Sequence, residues 1–148
     1  MKCRVLLLSL VIALTSIAAT ASDFGVHGGY FWGDLKNWIV GVDAQWPIGP
    51  VAIAPNVDYT RKDGVNFYAG SVNLDLRFDS GAGGPAYWLG AGPTYGYVEF
   101  QGDHATEWGY NVDAGAAWKA GGVKPYIDAR YYKIKEFKAG GIALGLRF

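Results

Sequence analysis

His27, Asp43, Asp58, Asp75, Asp113 and Asp128, with Arg77, Arg130, Arg147, Lys119 and Lys124, each sit between apolar or glycine neighbours. A charge in such surroundings is costly unless it finds a partner. The set therefore predicts an internal network of salt bridges and hydrogen bonds, with a proton path, ion path or gate as the alternative use of the same groups. Hydrolysis needs a nucleophile, a base and an orienting acid within hydrogen-bond reach. His104 has Asp103 and Thr106 nearby, but Ser71 and Ser80 stand at no matching position. No enzymatic activity is expected. The aspartates lie in separate segments without metal-ligand spacing, so no metal or cofactor is expected.

Composition narrows the partners. The chain carries 13 basic and 13 acidic residues in 148, which leaves no basic field for nucleic acid. Residues 1–21 read as a cleavable signal peptide: Lys2 and Arg4 precede an apolar stretch, and Ala19, Thr20 and Ala21 form a small-x-small cleavage site. Cys3, the one cysteine, lies inside that segment, so no disulfide is expected in residues 22–148, which form a single domain.

The elements that hold these charges alternate with a period of two. Side chains on a strand point to opposite faces in turn. Eight such strands are expected at 24–31, 38–46, 51–60, 66–78, 86–97, 107–119, 123–134 and 139–148. Most approach the roughly 9–11 residues of a tilted membrane-crossing strand. In the fourth, Tyr68, Gly70, Val72, Leu74, Leu76 and Phe78 oppose Phe67, Ala69, Ser71, Asn73, Asp75 and Arg77. Even-numbered strands end on an outward aromatic, at Trp46, Phe78, Trp118 and Phe148, and the later odd ones carry Pro55, Pro93 and Pro125. Proline removes a ladder donor and favours edges or bulges. A bulge at Gly92-Pro93 would reverse the facing locally, and the sequence leaves that open.

The second face decides the solvent. A soluble sandwich needs Lys, Glu, Thr and Gln opposite its core. Here that face is Gly and Ala punctuated by the pairable charges above, which suits the narrow interior of an eight-stranded barrel. The apolar face then meets lipid. Aromatics bracket it: Trp46, Phe78 and Trp118 near one end, Trp38 and Trp108 near the other, as expected of two interfacial girdles.

With Ile142, Leu144, Leu146 and Phe148 alternating to the last residue, the two girdles and the repeated hairpins, the chain resembles the small eight-stranded outer-membrane barrels, the OmpA/OmpX-like group. The resemblance spans residues 22–148. It implies an all-β, antiparallel, up-and-down transmembrane barrel in a bacterial outer membrane. The last four alternating residues would be the signal read by the barrel-assembly machinery. Both termini would lie in the periplasm, with short periplasmic turns and, in the family, longer surface loops. Here the surface segments would be 32–37, 61–65, 98–106 and 135–136, which are short, a departure from the adhesins of this group that weakens that role. The implied partners are outer-membrane lipid and lipopolysaccharide, and the expected form is a monomer. Rim cations such as Lys36, Arg61 and Lys62 have the chemistry to meet lipopolysaccharide phosphates, but the interspersed Asp34, Asp63, Asp103 and Glu107 favour an ordinary solvated rim. The expected role is structural or surface-interacting. A narrow channel is the runner-up, and a lipid A-modifying enzyme stands third.

Overall fold

The computed structural model describes residues 23–148; the expected signal peptide lies outside the described residues. Eight antiparallel strands close into an up-and-down barrel: β1 (Asp23–Gly33), β2 (Asn37–Ile48), β3 (Val51–Lys62), β4 (Val65–Asp79), β5 (Ala86–Phe100), β6 (Asp103–Ala117), β7 (Lys124–Ile134) and β8 (Phe137–Arg147). Closure falls between the first and last strands, from Gly25 opposite Arg147 to Gly33 opposite Ala139. Phe24 and Phe148 extend the seam by exchanging two backbone hydrogen bonds, at 3.2 and 2.9 Å.

The alternation sets the faces. Asp43, Asn56, Asp58, Asn73, Asp75, Asn111, Asp113, Asp128, Arg130 and Arg147 are buried inside. Outside, Leu74, Leu89 and Leu144 are 62%, 56% and 64% exposed, as members of an apolar surface that runs right round the sheet. An exposed apolar area of that extent marks contact with something other than water.

The prolines do not bend the pattern. Pairing is interrupted beside Pro93, yet Ser71 faces Thr94 on one side of the gap and Leu74 faces Ala91 on the other, so the register is continuous. The same holds at Pro55, between the pairs Asp43–Asn56 and Trp46–Ile53. At both prolines the ladder therefore skips two residue pairs without inserting a residue, and Gly92-Pro93 is not a bulge.

The ends of the barrel differ from the expected picture. Segment 98–106, expected as the longest loop, is a continuation of β5 and β6. Glu99 pairs with His104 and Phe100 with Asp103 across a two-residue turn, Gln101-Gly102, with φ of 50° and 93°. Positive φ at both central residues gives the twist that suits a hairpin. Asp63-Gly64 turns the β3–β4 hairpin in the same way, with φ of 51° and 80°. The longest connection among β2–β6, residues 80–85 between β4 and β5, lies instead at the end that carries the termini. The family expectation of short turns at that end and longer loops at the other is thus not met here.

The strands are also unequal. β4, β5 and β6 have 15 residues each, whereas β7, β8 and β1 have 11. β6 pairs with β5 along its whole length but with β7 only from Gly109 onward. Residues 103–108 therefore form an exposed edge rising above the β7–β8 turn. Hydrogen exchange is expected to reveal it: alternate amides along 103–108 should exchange quickly, and those from Gly109 to Ala117 should be uniformly slow. Equal protection of the two stretches would contradict this edge.

Candidate functional site

The barrel interior holds the strongest concentration of chemistry-bearing residues. Its axis carries a polar network in the middle and an apolar plug towards the end opposite the termini, the hairpin end of the β1–β2, β3–β4, β5–β6 and β7–β8 turns. β1 supplies His27, β2 Asp43, β3 Asn56 and Asp58, β7 Tyr126, Asp128, Arg130 and Tyr132, and β8 Arg147. Alternation within each strand aims all of them inward, and the stagger between strands stacks them at neighbouring heights.

His27 is the bridge. Its side chain is fully buried, with Nε2 2.6 Å from Asp58 Oδ1 and Nδ1 3.2 Å from Asp43 Oδ2. Each aspartate is held again from the far side. Arg147 Nε donates to Asp43 Oδ1 at 2.8 Å, and the Tyr126 hydroxyl donates to Asp43 Oδ2. Arg130 Nη1 donates to Asp58 Oδ2 at 2.9 Å, the Tyr132 hydroxyl donates to the same oxygen, and Arg130 Nη2 reaches Asp128. The Arg147 guanidinium also lies 4.3 Å from the centre of the Tyr126 ring and 4.6 Å from that of Trp88. Cation–π contact of this kind strengthens when water is excluded.

A second group belongs to β4, β5 and β6. Asn73 and Asn111 exchange amide hydrogen bonds at 2.7 Å each way. Asn73 Nδ2 also donates to Asp113 Oδ1 at 2.5 Å, and Trp88 Nε1 donates to Asp113 Oδ2 at 2.9 Å. Asn111 continues to Thr94 at 3.0 Å, and Thr94 to Ser71 at 2.8 Å. Gln45 ties Asp75 to β2 at 3.2 Å. The two groups meet through Trp88, which bonds Asp113 with its nitrogen and receives Arg147 on its face.

Of the residues singled out in the sequence, His27, Asp43, Asp58, Asp128, Arg130 and Arg147 come together in the first group. Asp113 lies in the second, and Asp75 sits between them. Arg77 stands apart. It is half-buried at the terminal mouth beside Asp79, Lys124 and Arg147, and its guanidinium meets no carboxylate among the described residues, because the stagger carries this end of β4 past the network towards the termini. Lys119 is exposed beyond β6, and Lys124 pairs with Asp23. Trp38 and Trp108 stand on the outer face, 70% and 69% exposed, and Phe78 and Trp118 are exposed towards the other end, with Trp46 half-buried there. Ile142, Leu144 and Phe148 are outward on β8 or just beyond it, as is Leu146.

The residues missed by sequence reasoning are the neutral ones: Asn56, Asn73, Asn111, Trp88, Tyr126 and Tyr132. All lie at inward positions of the alternation, and that was the available signal. No group of three or more His, Cys, Asp or Glu among the described residues has the arrangement of a metal site. His104 stacks on Tyr97, with ring centroids 6.0 Å apart, and lies far along the protruding hairpin from Ser71.

The network fills the lumen. Asn73, Asp75, Thr94, Asn111 and Asp128 are each no more than 1% exposed, and the cavities at the two ends share no lining residue. The sheet, its order and its size then settle the architecture. The fold is that of the small outer-membrane β-barrels. Neisserial surface protein A superposes with a TM-score of 0.65 at 16% identity, covering 84% of this chain and 92% of that one. Ail, the attachment invasion locus protein of Yersinia pestis, gives 0.61 at 14%, covering 85% and 95%. The N-terminal β-barrel domain of Pseudomonas aeruginosa OprF gives 0.60 at 14%, covering 86% and 98%. No family model and no curated protein matches the sequence. Identities this low carry the barrel fold and nothing about ligand or partner.

Two substitutions probe the network. Arg130→Met leaves Asp58 and Asp128 buried without their cation, and a loss of about 3–5 kcal/mol in unfolding free energy is expected. A Cβ on Gly41 would press against Asp58 Oδ1, His27 Nε2 and the Val57 carbonyl, whereas one on Gly70 meets nothing within 4 Å. Gly41→Ala should therefore cost about 1–3 kcal/mol and Gly70→Ala less than about 0.5. Denaturant unfolding of the refolded barrel in detergent micelles measures both, and equal costs would count against a tightly filled lumen at Gly41.

Proposed function

We propose that this protein is a monomeric, non-enzymatic barrel of a bacterial outer membrane, with a structural or surface-interaction role in the cell envelope. The observation that carries the reading is the pairing of an apolar exterior with a filled, hydrogen-bonded interior. Lipid solvates only apolar surface and requires every backbone polar group to be bonded internally, which a closed sheet provides. Outward aromatics near both ends, Trp38 and Trp108 at one and Phe78 and Trp118 at the other, suit the two membrane–water interfaces. In this placement the termini face the periplasm and the hairpin ends face outward.

A plugged lumen favours a structural role over a channel. Both His27 nitrogens are engaged by aspartates, and Ser71 is held by Thr94, which favours a structural role for these groups over a catalytic one. Compact turns at the hairpin end present little surface for adhesion. Rim cations are partly engaged, with Lys62 bonded to the Leu35 carbonyl and Lys135 to Glu107, and contact with lipopolysaccharide falls to the remaining ones, such as Lys36 and Arg61. Phe148 serves in this reading as the assembly signal, together with Ile142, Leu144 and Leu146.

Cell fractionation tests the placement: a heat-modifiable band in the outer-membrane fraction is expected, and recovery with the soluble periplasm would sink it. Purified protein in planar bilayers should give no conductance steps. Steps that disappear in Asp75→Ala or Arg130→Ala would replace the structural role with a gated channel. Phe148→Ala should slow insertion by the assembly machinery more than it lowers the stability of folded protein, and comparable effects on the two would remove the signal role.

A further inference from the structure

Above the polar network the lumen turns apolar. Phe31 stacks on Tyr132 with centroids 5.8 Å apart, and Leu35, Ile39, Ala69 and Ala139 close around them. Phe67 and Phe137 pack against this cluster and against each other, at 5.1 Å. On that floor stands a cavity of about 470 Å³, within the range of small-ligand sites. Val65, Val98, Ala105 and Ile134 complete its apolar walls. A water-facing mouth has no structural need for such a lining. The network below seals it, so the cavity is a dead-end pocket and not one half of a pore.

Its shape follows from the unequal strands. One wall is the inner face of the tall sheet, β3 to β6. The other is low, formed by Leu35 and the β7–β8 turn. Between them, where β6 has lost its β7 partner, the pocket opens sideways past residues 103–108. Glu107 and Lys135 span this opening with a 2.8 Å ion pair between exposed side chains. The hydrogen bond and charge of Glu107 hold Lys135 above the ordinary lysine pKa. On the outer surface of β6, at the foot of this stretch and just below it, stand Trp108 and Tyr110, with Tyr95 packed on Trp108 at 5.0 Å. The foot of the entrance thus lies at the level of the outward aromatic belt, next to the interface where acyl chains meet headgroups.

The rim chooses the head. Two cations line the pocket, Lys62 and Lys135, against four carboxylates, Asp34, Asp63, Glu107 and Glu136. Lys62 is committed to the Leu35 carbonyl and Lys135 to Glu107. An anionic head placed here meets an excess of like charge.

We propose that this cleft binds the hydrocarbon chain of a single-chain amphiphile whose head is uncharged or cationic, admitted sideways between β6 and the β7–β8 turn. The direction of entry rests on the membrane placement proposed above, but the pocket and its preference do not. Fractionation with the periplasm would overturn that placement and leave chain binding to be judged by its own test.

That test uses the folded barrel in phosphatidylcholine nanodiscs, titrated below micelle-forming concentrations with decyl maltoside, decyltrimethylammonium and decyl sulfate. Methyl NMR of Ile134, Val65 and Leu35 reads occupancy. Saturable shifts are expected with the maltoside and the ammonium, and about tenfold weaker binding with the sulfate. Ala105→Phe, on the exposed edge strand, and Val98→Trp should each fill the pocket and weaken binding by at least about tenfold. A retained heat-modifiable gel shift identifies the variants as folded, and Ala105→Phe serves if Val98→Trp fails to fold. Shifts that rise linearly without saturation, affinities unchanged in the folded filled variants, or sulfate binding as tight as the others would overturn the proposal.

Discussion

An eight-stranded barrel encloses a space only as wide as the side chains that fill it. Every inward residue in this chain answers to that limit. A charge there has no water to fall back on, so it must meet a partner, on its own strand as Asp128 meets Arg130 or more often on another. The stagger of the strands decides which partner lies at its height. His27 between Asp43 and Asp58, with Arg147 and Arg130 behind them, is one solution. It costs desolvation of several charges and returns interlocking contacts between β1, β2, β3, β7 and β8. The amide and indole bonds of Asn73, Asn111, Asp113 and Trp88 do the same for β4, β5 and β6 with less charge. Between them the two groups hold the circumference from inside.

The same limit explains the glycines and alanines of the inner face. Where one strand contributes a large group, its neighbours must contribute almost nothing. Gly41 leaves room for the His27–Asp58 contact, and Gly115 lies under the Trp88 ring. Composition alone reads these small residues as a weak core. In the barrel they are the counterpart of the large polar groups across the lumen.

Much of this was legible in the sequence because a strand writes its two faces with a period of two. Aspartates and arginines between apolar neighbours located the lumen-facing positions directly. Partner choice was not legible, since it depends on stagger between strands far apart in sequence. Arg77 shows the consequence: its facing was read correctly, but its height puts it at the mouth. Tyr126, Tyr132 and Trp88 lay on the inward face as well, yet aromatic side chains read as filler until their hydroxyl and indole groups are seen to bond. Segment 98–106 misled for a different reason. Above the barrel rim both faces of a strand are wet, so β5 and β6 lose the apolar alternation that marks them lower down, and Glu99, Gln101, Asp103 and His104 read as a loop.

The seam between β1 and β8 also bears on how the molecule comes to be. The seven other pairings join strands that follow one another along the chain. Each can form as a hairpin with a small loop-closure cost. The seam alone brings together positions as distant as Gly25 and Arg147. Its contribution to contact order is therefore far larger than that of any single hairpin, and contacts of this kind are slow to form. A chain built this way accumulates structure locally and completes it in one non-local step, so the time spent with β1 and β8 unpaired is the interval in which two open edges are offered to whatever else is present.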